Sequence, residues 1–188
     1  DRRDLDNKMQ ERLARYADDF VVLCHRDTHW PGEWIQRILK RMGLTLSEAK
    51  TCVRNTYQEG FEFLGFHFQM RKSRRDRWYP LVTPAKRSCN RINQRIKAIT
   101  RREQMVIPLS EVIGKLNVSV RGWVNYFHFM NCHQAMKRLR HQVEERTRIH
   151  LKRRHQVKSW DGAYARFPNP ALYQIYGLYK VPTTAGWT

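Results

Sequence analysis

The chain has 188 residues and a mass of 22.7 kDa, 41% of it hydrophobic, which is enough for one compact domain or two small ones with a core. A net charge of +19 and a pI near 10.4 exceed what solubility needs, and no apolar run approaches membrane-spanning length, so the charge points to a nucleic acid and away from a bilayer. The surplus is unevenly placed: residues 1–62 carry 11 Lys/Arg and 11 Asp/Glu, whereas residues 63–188 carry 25 against 6.

In chain order, Leu5, Met9 and Leu13 at four-residue spacing predict a short helix. Tyr16-Ala17-Asp18-Asp19 follows, with apolar residues on both sides. This predicts a tight hairpin with the two acids at its turn and Val21 to Leu23 buried. Pro31 and Gly32 punctuate a loop, and residues 34–42 read as a helix with Trp34, Ile35, Ile38, Leu39 and Met42 on one stripe, ended by Gly43. A short strand is expected at 52–54. Residues 61–69 form an aromatic-rich strand in which Gly65 admits a close neighbour or marks a bulge. Arg71 to Arg77 is a basic tip, and residues 78–82 return as the partner strand, held at an edge by Pro80.

From Pro84 the pattern turns helical. Residues 86–102 carry Ile92, Ile96 and Ile99 on one face, and residues 109–130 place apolar side chains at three- and four-residue intervals. Residues 134–155 put Met136, Leu139 and Val143 inside, with Arg146, Arg148, Lys152, Arg153 and Arg154 outward. Three such helices with short connections predict a small bundle. The Gly-, Pro- and Tyr-rich remainder is expected as an extended cap that packs Tyr173, Tyr176 and Tyr179 on the bundle. The fold class is therefore α+β, antiparallel hairpins with a helix followed by a three-helix bundle.

Two features carry chemistry. Adjacent carboxylates repel unless a cation lies between them, and oxygen-rich, partly hydrated sites suit Mg²⁺; the plain alternative for Asp18-Asp19 is a solvated turn. The helical cations can neutralise nucleic-acid phosphates. Trp123, Tyr126 and Phe127 suit base stacking, but their spacing favours core positions for Trp123 and Phe127 and leaves Tyr126 open. The cysteines Cys24, Cys52, Cys89 and Cys132 are far apart with no CxxC pair, which indicates reduced thiols in a cytosolic setting. An opening on Asp1-Arg2-Arg3-Asp4 without methionine is expected of a portion of something longer.

Tyr16-Ala17-Asp18-Asp19 resembles the YxDD signature of reverse transcriptases. WIQRILKRMGLTLSEAKT at 34–51 and FEFLGFHF at 61–68 look like the next two blocks of that family. RGWVNYF at 121–127 is similar to the RGWxNYF element in the maturase, or X, region of group II intron-encoded proteins. The chain thus resembles the C-terminal half of a group II intron reverse transcriptase/maturase. The resemblance implies the C-terminal part of a palm at 1–83, a thumb/maturase unit at 84–158 and the cap at 159–188.

By the same resemblance, Asp18 and Asp19 would hold Mg²⁺ for nucleotidyl transfer from a dNTP, and Lys50 would stabilise or protonate the pyrophosphate leaving group. Leu64, Gly65 and Phe66 would form a primer-grip-like surface, with Tyr16 near the primer terminus. Arg87, Arg91, Arg95, Tyr126, Lys152, Arg153 and Arg154 would contact a template-primer duplex or group II intron RNA, in a bacterial cytosol. The family's earlier palm aspartate and its fingers precede the Tyr16 block, where this sequence has fifteen residues; Asp1, Asp4 and Asp6 lie in a charged stretch that does not replace them. Polymerisation is therefore expected only with an N-terminal half, supplied as a second polypeptide or a missing segment. The alternatives are a catalytically incomplete maturase-type RNA-binding module, one chain of a split reverse transcriptase and, third, a regulator that binds double-stranded DNA.

Overall fold

A computed structural model describes residues 12–24, 29–47 and 51–185, and by internal contacts the chain divides into two compact units, residues 1–55 and residues 56–188. These units follow packing and are drawn differently from the palm, thumb and cap segments that the resemblance implies.

In the first unit, β1 (Arg12–Tyr16) and β2 (Asp19–Leu23) form an antiparallel hairpin whose ladder closes with Tyr16 opposite Asp19. Ala17 and Asp18 make the turn, Ala17 at a positive φ of 53°, and Arg15 Nε donates to the Ala17 carbonyl at 2.9 Å. Arg12 and Leu13, expected at the end of a helix, are strand residues; the rest of that expected helix lies outside the described residues. Helix α1 (His29–Arg41) ends as predicted at Gly43, φ 68°, with Leu44 N–H donating to the Leu39 carbonyl (2.9 Å) and Gly43 N–H to Lys40 (3.2 Å). That pair of bonds is a Schellman cap, which a left-handed glycine permits.

The expected burial of Val21 to Leu23 is not found. Val21 and Val22 are half-buried and Leu23 is 48% exposed. Two strands and one helix enclose little volume, and no described residue of this unit is fully buried. The strand expected at 52–54 is irregular and exposed.

In the second unit, β3 (Phe61–Phe63), β4 (Phe66–Lys72) and β5 (Trp78–Pro84) form an antiparallel sheet in that order. The aromatic run read as one strand is a hairpin: Phe63 pairs with Phe66, and Leu64 (φ 50°) and Gly65 (φ 79°) make a two-residue connection with both residues left-handed. That geometry matches the strand twist of primed hairpin turns. Pro80, lacking an N–H, sits opposite Met70 on edge strand β5, as expected.

The three predicted helices are α2 (Lys86–Ile99), α3 (Leu109–Phe127) and α4 (His133–Arg154). Helix α2 stops three residues before its expected end, where the buried Thr100 Oγ1 donates back to the Ile96 carbonyl at 2.8 Å, and a 3-10 turn (Arg102–Val106) follows. The shared core contains Ile92, Ile96 and Ile99 of α2, Val112, Leu116, Val120, Val124 and Phe127 of α3, and Met136, Leu139, Val143 and Leu151 of α4. Each such aliphatic side chain contributes about 1.5–3 kcal/mol on full burial. Phe66 ties the sheet to this core, its ring 5.0 Å from Phe127, 5.6 Å from Tyr126 and 6.2 Å from Phe129.

The region after α4 is not the extended cap expected. It forms two short helices, α5 (Trp160–Arg166), capped by Ser159 Oγ accepting from Gly162 N–H at 3.0 Å, and α6 (Asn169–Gln174). Phe167, Leu172, Leu178 and Val181 enter the core, and Tyr173, Tyr176 and Tyr179 pack against it as read. Arg148, read as outward, is 1% exposed, because its guanidinium is used to hold this segment.

Candidate nucleic-acid interface

Helix α2 has five basic residues and no acidic one. Because 3.6 residues make a turn, Arg87, Arg91 and Arg95 stack along one exposed face while Ile92, Ile96 and Ile99 turn inward. An open groove beside this face is lined by Lys86, Arg87, Asn90, Arg91 and Gln94 of α2 and Glu62 of β3. Guanidinium forks and amides along such a groove suit successive phosphates, since arginine can donate two parallel hydrogen bonds to each.

The proposed grip residues are brought together. Tyr126 is 54% exposed, and its hydroxyl donates to the Leu64 carbonyl at 3.0 Å, so a side chain 62 residues away holds the 64–65 turn. Gly65 is required twice over: its φ is positive, and a Cβ there would lie 3.0 Å from Ser88 Oγ and 3.2 Å from Phe127 Cζ. Its carbonyl accepts from Ala85 N–H (2.8 Å) and Ser88 Oγ (3.1 Å), which seats the turn on the start of α2. Phe127 is core and Trp123 packs against it, as their spacing indicated.

The three cations that end α4 are not equivalent. Arg154 Nη1 donates to the Met105 and Ile107 carbonyls (3.2 and 2.8 Å) and so secures the 3-10 turn. Lys152 Nζ donates to the Lys158 carbonyl at 2.9 Å and lies 5.3 Å from the Trp160 ring centroid. Arg153 is exposed.

Asp18, in the turn, and Asp19, opening β2, are both exposed, and Tyr16 beside them is 64% exposed. Lys50 lies outside the described residues. Both acids offer hard oxygen donors open to water, which fits part of a Mg²⁺ shell. Among the described residues no third His, Cys, Asp or Glu joins them into a cluster able to hold a metal ion.

Sequence reasoning gave His150 no role, although it lies on the basic face of α4 at four-residue spacing from Arg146 and Arg154. It is 2% exposed with neither ring nitrogen hydrogen-bonded. Burial pushes its pKa below the ordinary imidazole value; the charges of Arg154, Arg153 and Arg146 push the same way, and the Thr100 backbone offsets only part. Below the usual imidazole pKa of about 6.5 the unfolded chain takes a proton that the folded one refuses. The stability from neutral His150 is therefore complete above that pH and is lost as pH falls through the folded value. Melting curves from pH 7.5 to 5 should show an acid-side loss that His150→Leu diminishes; parallel profiles for the two proteins would refute this.

No helix among the described residues is long and apolar enough to cross a membrane. Against known proteins, the chain is 26% identical over 137 residues to the "Uncharacterized 91 kDa protein in cob intron" of Schizosaccharomyces pombe, an alignment that covers 63% of this chain and 17% of that protein. Residues 89–167, from within α2 to the end of α5, match the family described as "Group II intron, maturase-specific domain". Over residues 89–167 this chain is therefore similar to the group II intron maturase-specific domain.

Proposed function

We propose that the second unit binds folded group II intron RNA and thereby supports splicing, with the α2 face as its principal phosphate-binding surface. The observation that carries this reading is the exposed Arg87-Arg91-Arg95 stripe, free of acidic residues on its own helix, on a bundle that matches the maturase-specific family. A folded RNA presents closely spaced phosphates along a wide, shallow groove, and a row of guanidiniums on a rigid helix meets them with little ordering cost. The chain should bind group II intron RNA more tightly than duplex DNA at matched salt, and alanines at Arg87, Arg91 and Arg95 should reduce both affinity and salt dependence. Equal affinity for the two nucleic acids would favour a regulator that binds double-stranded DNA instead.

A second reading rests on the exposed Asp18-Asp19 turn. In it residues 1–83 are the C-terminal part of a reverse-transcriptase palm, residues 84–158 include the thumb, and Leu64, Gly65 and Phe66 form a primer-grip-like surface, with Tyr126 among the template-primer contacts. Asp18 and Asp19 would hold Mg²⁺, which when bound supplies activation of the primer 3′-hydroxyl and neutralisation of the leaving pyrophosphate. The chain's own contribution is to hold two carboxylates at a hairpin end, with Tyr16 beside them, and Lys50 is the candidate to meet the leaving group. The remaining carboxylate and the nucleotide-binding fingers would come from another segment or polypeptide. Primer extension by the chain together with such a polypeptide should be lost in Asp18→Ala while intron RNA binding is kept. Extension that survives the substitution would end this reading and leave an RNA-binding maturase module.

A further inference from the structure

Strands β4 and β5 are packed only at one end. From Phe66 to Met70 and from Leu81 to Pro84 their residues are half-buried or buried, whereas Arg71, Lys72 and residues 74–80 are exposed. The ladder nevertheless runs on through Arg71 opposite Tyr79 and Lys72 opposite Trp78, and Ser73 N–H donates to the Arg77 carbonyl at 2.8 Å. A formed two-stranded ribbon therefore extends past the body of the unit, closed by a turn with Asp76 at φ 56°.

The two faces of this ribbon differ because side chains alternate along a strand. On one face Lys72 pairs with Asp76 at 2.7 Å and lies 5.5 Å from the Trp78 ring centroid, while Tyr57 packs edge-on against Trp78 at 4.8 Å. That face is internally satisfied, and it uses the one carboxylate of the tip. The opposite face carries Arg71 directly across from Tyr79, and Arg77, exposed, lies in the turn just before β5 begins at Trp78. Arg74 and Arg75 project at the turn.

We propose that this ribbon end is an RNA-gripping finger, in which Arg71, Arg74, Arg75 and Arg77 take phosphates and Tyr79 stacks on an unpaired base. The finger adds a second contact to the RNA-binding reading above and rests on it. Four guanidiniums within seven residues, with the local acid already held by Lys72, leave uncompensated positive charge that a row of phosphates neutralises. Tyr79, 37% exposed and flanked by two arginines, has the arrangement in which a nucleobase stacks on the ring while its own phosphates are bound on either side. A bilayer is the poorer partner, because Ser73-Arg74-Arg75-Asp76-Arg77 presents no apolar side chain at the turn.

The test titrates the full chain with a folded group II intron RNA and with a plain RNA duplex across a KCl series. It compares the parent with R71A/R74A/R75A/R77A, with the four corresponding Arg→Lys changes, and with Tyr79→Ala and Tyr79→Phe. At about 0.9 counterions per phosphate contact, the alanine variant should lose about 3–4 from the log–log salt slope, roughly 100-fold in affinity between low and moderate salt. The lysine variant should keep most of the slope. Tyr79→Ala should weaken binding of the folded RNA about tenfold more than of the duplex, and Tyr79→Phe should not. Each variant should melt with the parent, since all these side chains are exposed; if the alanine variant melts lower, the lysine and tyrosine variants carry the test. A parent that binds RNA with a slope unchanged in the alanine variant overturns the finger alone. A parent that binds no intron RNA overturns the maturase reading along with it.

Discussion

Replacing Arg148 by Met is expected to destabilise the helical unit by about 3–5 kcal/mol, the range for removing one member of a buried ion pair. Arg148 is 1% exposed and makes an ion pair with Glu145, a hydrogen bond to the side-chain carbonyl of Asn169 and a 3.1 Å bond from Nε to the Phe167 carbonyl. Its guanidinium also lies 4.3 Å from the Tyr164 ring centroid. Asn169 in turn donates to Glu144 at 3.1 Å, and Tyr173 donates its hydroxyl to the same carboxylate. Burial, followed by that bond to Glu144, pushes the Tyr173 phenol well above its ordinary pKa, so the proton stays on the tyrosine and Glu144 stays the acceptor. Methionine fills much of the volume but leaves the Phe167 carbonyl and Asn169 Oδ1 without the Arg148 donor and Glu145 with the Tyr164 hydroxyl alone, in a protein whose total stability is on the order of 5–15 kcal/mol. Urea denaturation of the parent and variant measures the difference. A loss below about 1 kcal/mol would mean that the network contributes specificity of docking and little stability.

The second large effect is expected at Gly65→Val. A β-branched residue at φ 79° suffers the left-handed penalty of about 1–2 kcal/mol, and displacing Ser88 and Phe127 adds an overpacking cost of about 1–3. Gly177→Val is the control, because Gly177 shares the positive φ (68°) but has nothing within 4 Å of its added Cβ. The excess loss at Gly65 over Gly177 reports the cost of displacing Ser88 and Phe127. If the 64–66 turn grips a primer, Gly65→Val should also weaken template-primer binding more than the equally strained Gly177 variant does. Equal stability losses at the two sites would show that Ser88 and Phe127 give way freely.

Much of this was legible in the residues themselves. The 3.6-residue spacing of Ile92, Ile96 and Ile99, and of Val112, Leu116, Val120, Val124 and Phe127, marks the helix faces that form the core. Gly43 marked the end of α1. The 61–69 run misled because its aromatic density outweighs a two-residue turn, and only the backbone shows that Leu64 joins Gly65 in the left-handed region. The C-terminal segment misled because Gly, Pro and Tyr suggest extended chain, whereas tertiary contacts sustain helices of seven and six residues that would not form alone.

The sequence by itself determined that the positive charge lies in residues 63–188, that helices with apolar stripes follow Pro84, and that the Tyr16-Asp19 and Arg121-Phe127 blocks resemble a known family. Only the tertiary structure decided which charges face solvent. Arg87, Arg91 and Arg95 are exposed, while Arg148 is enclosed and Arg154 holds two backbone carbonyls. The reason is physical: spacing along one helix tells which side is apolar, but a cation's partners come from distant segments, and burial is tolerable only where those segments bring acceptors to it.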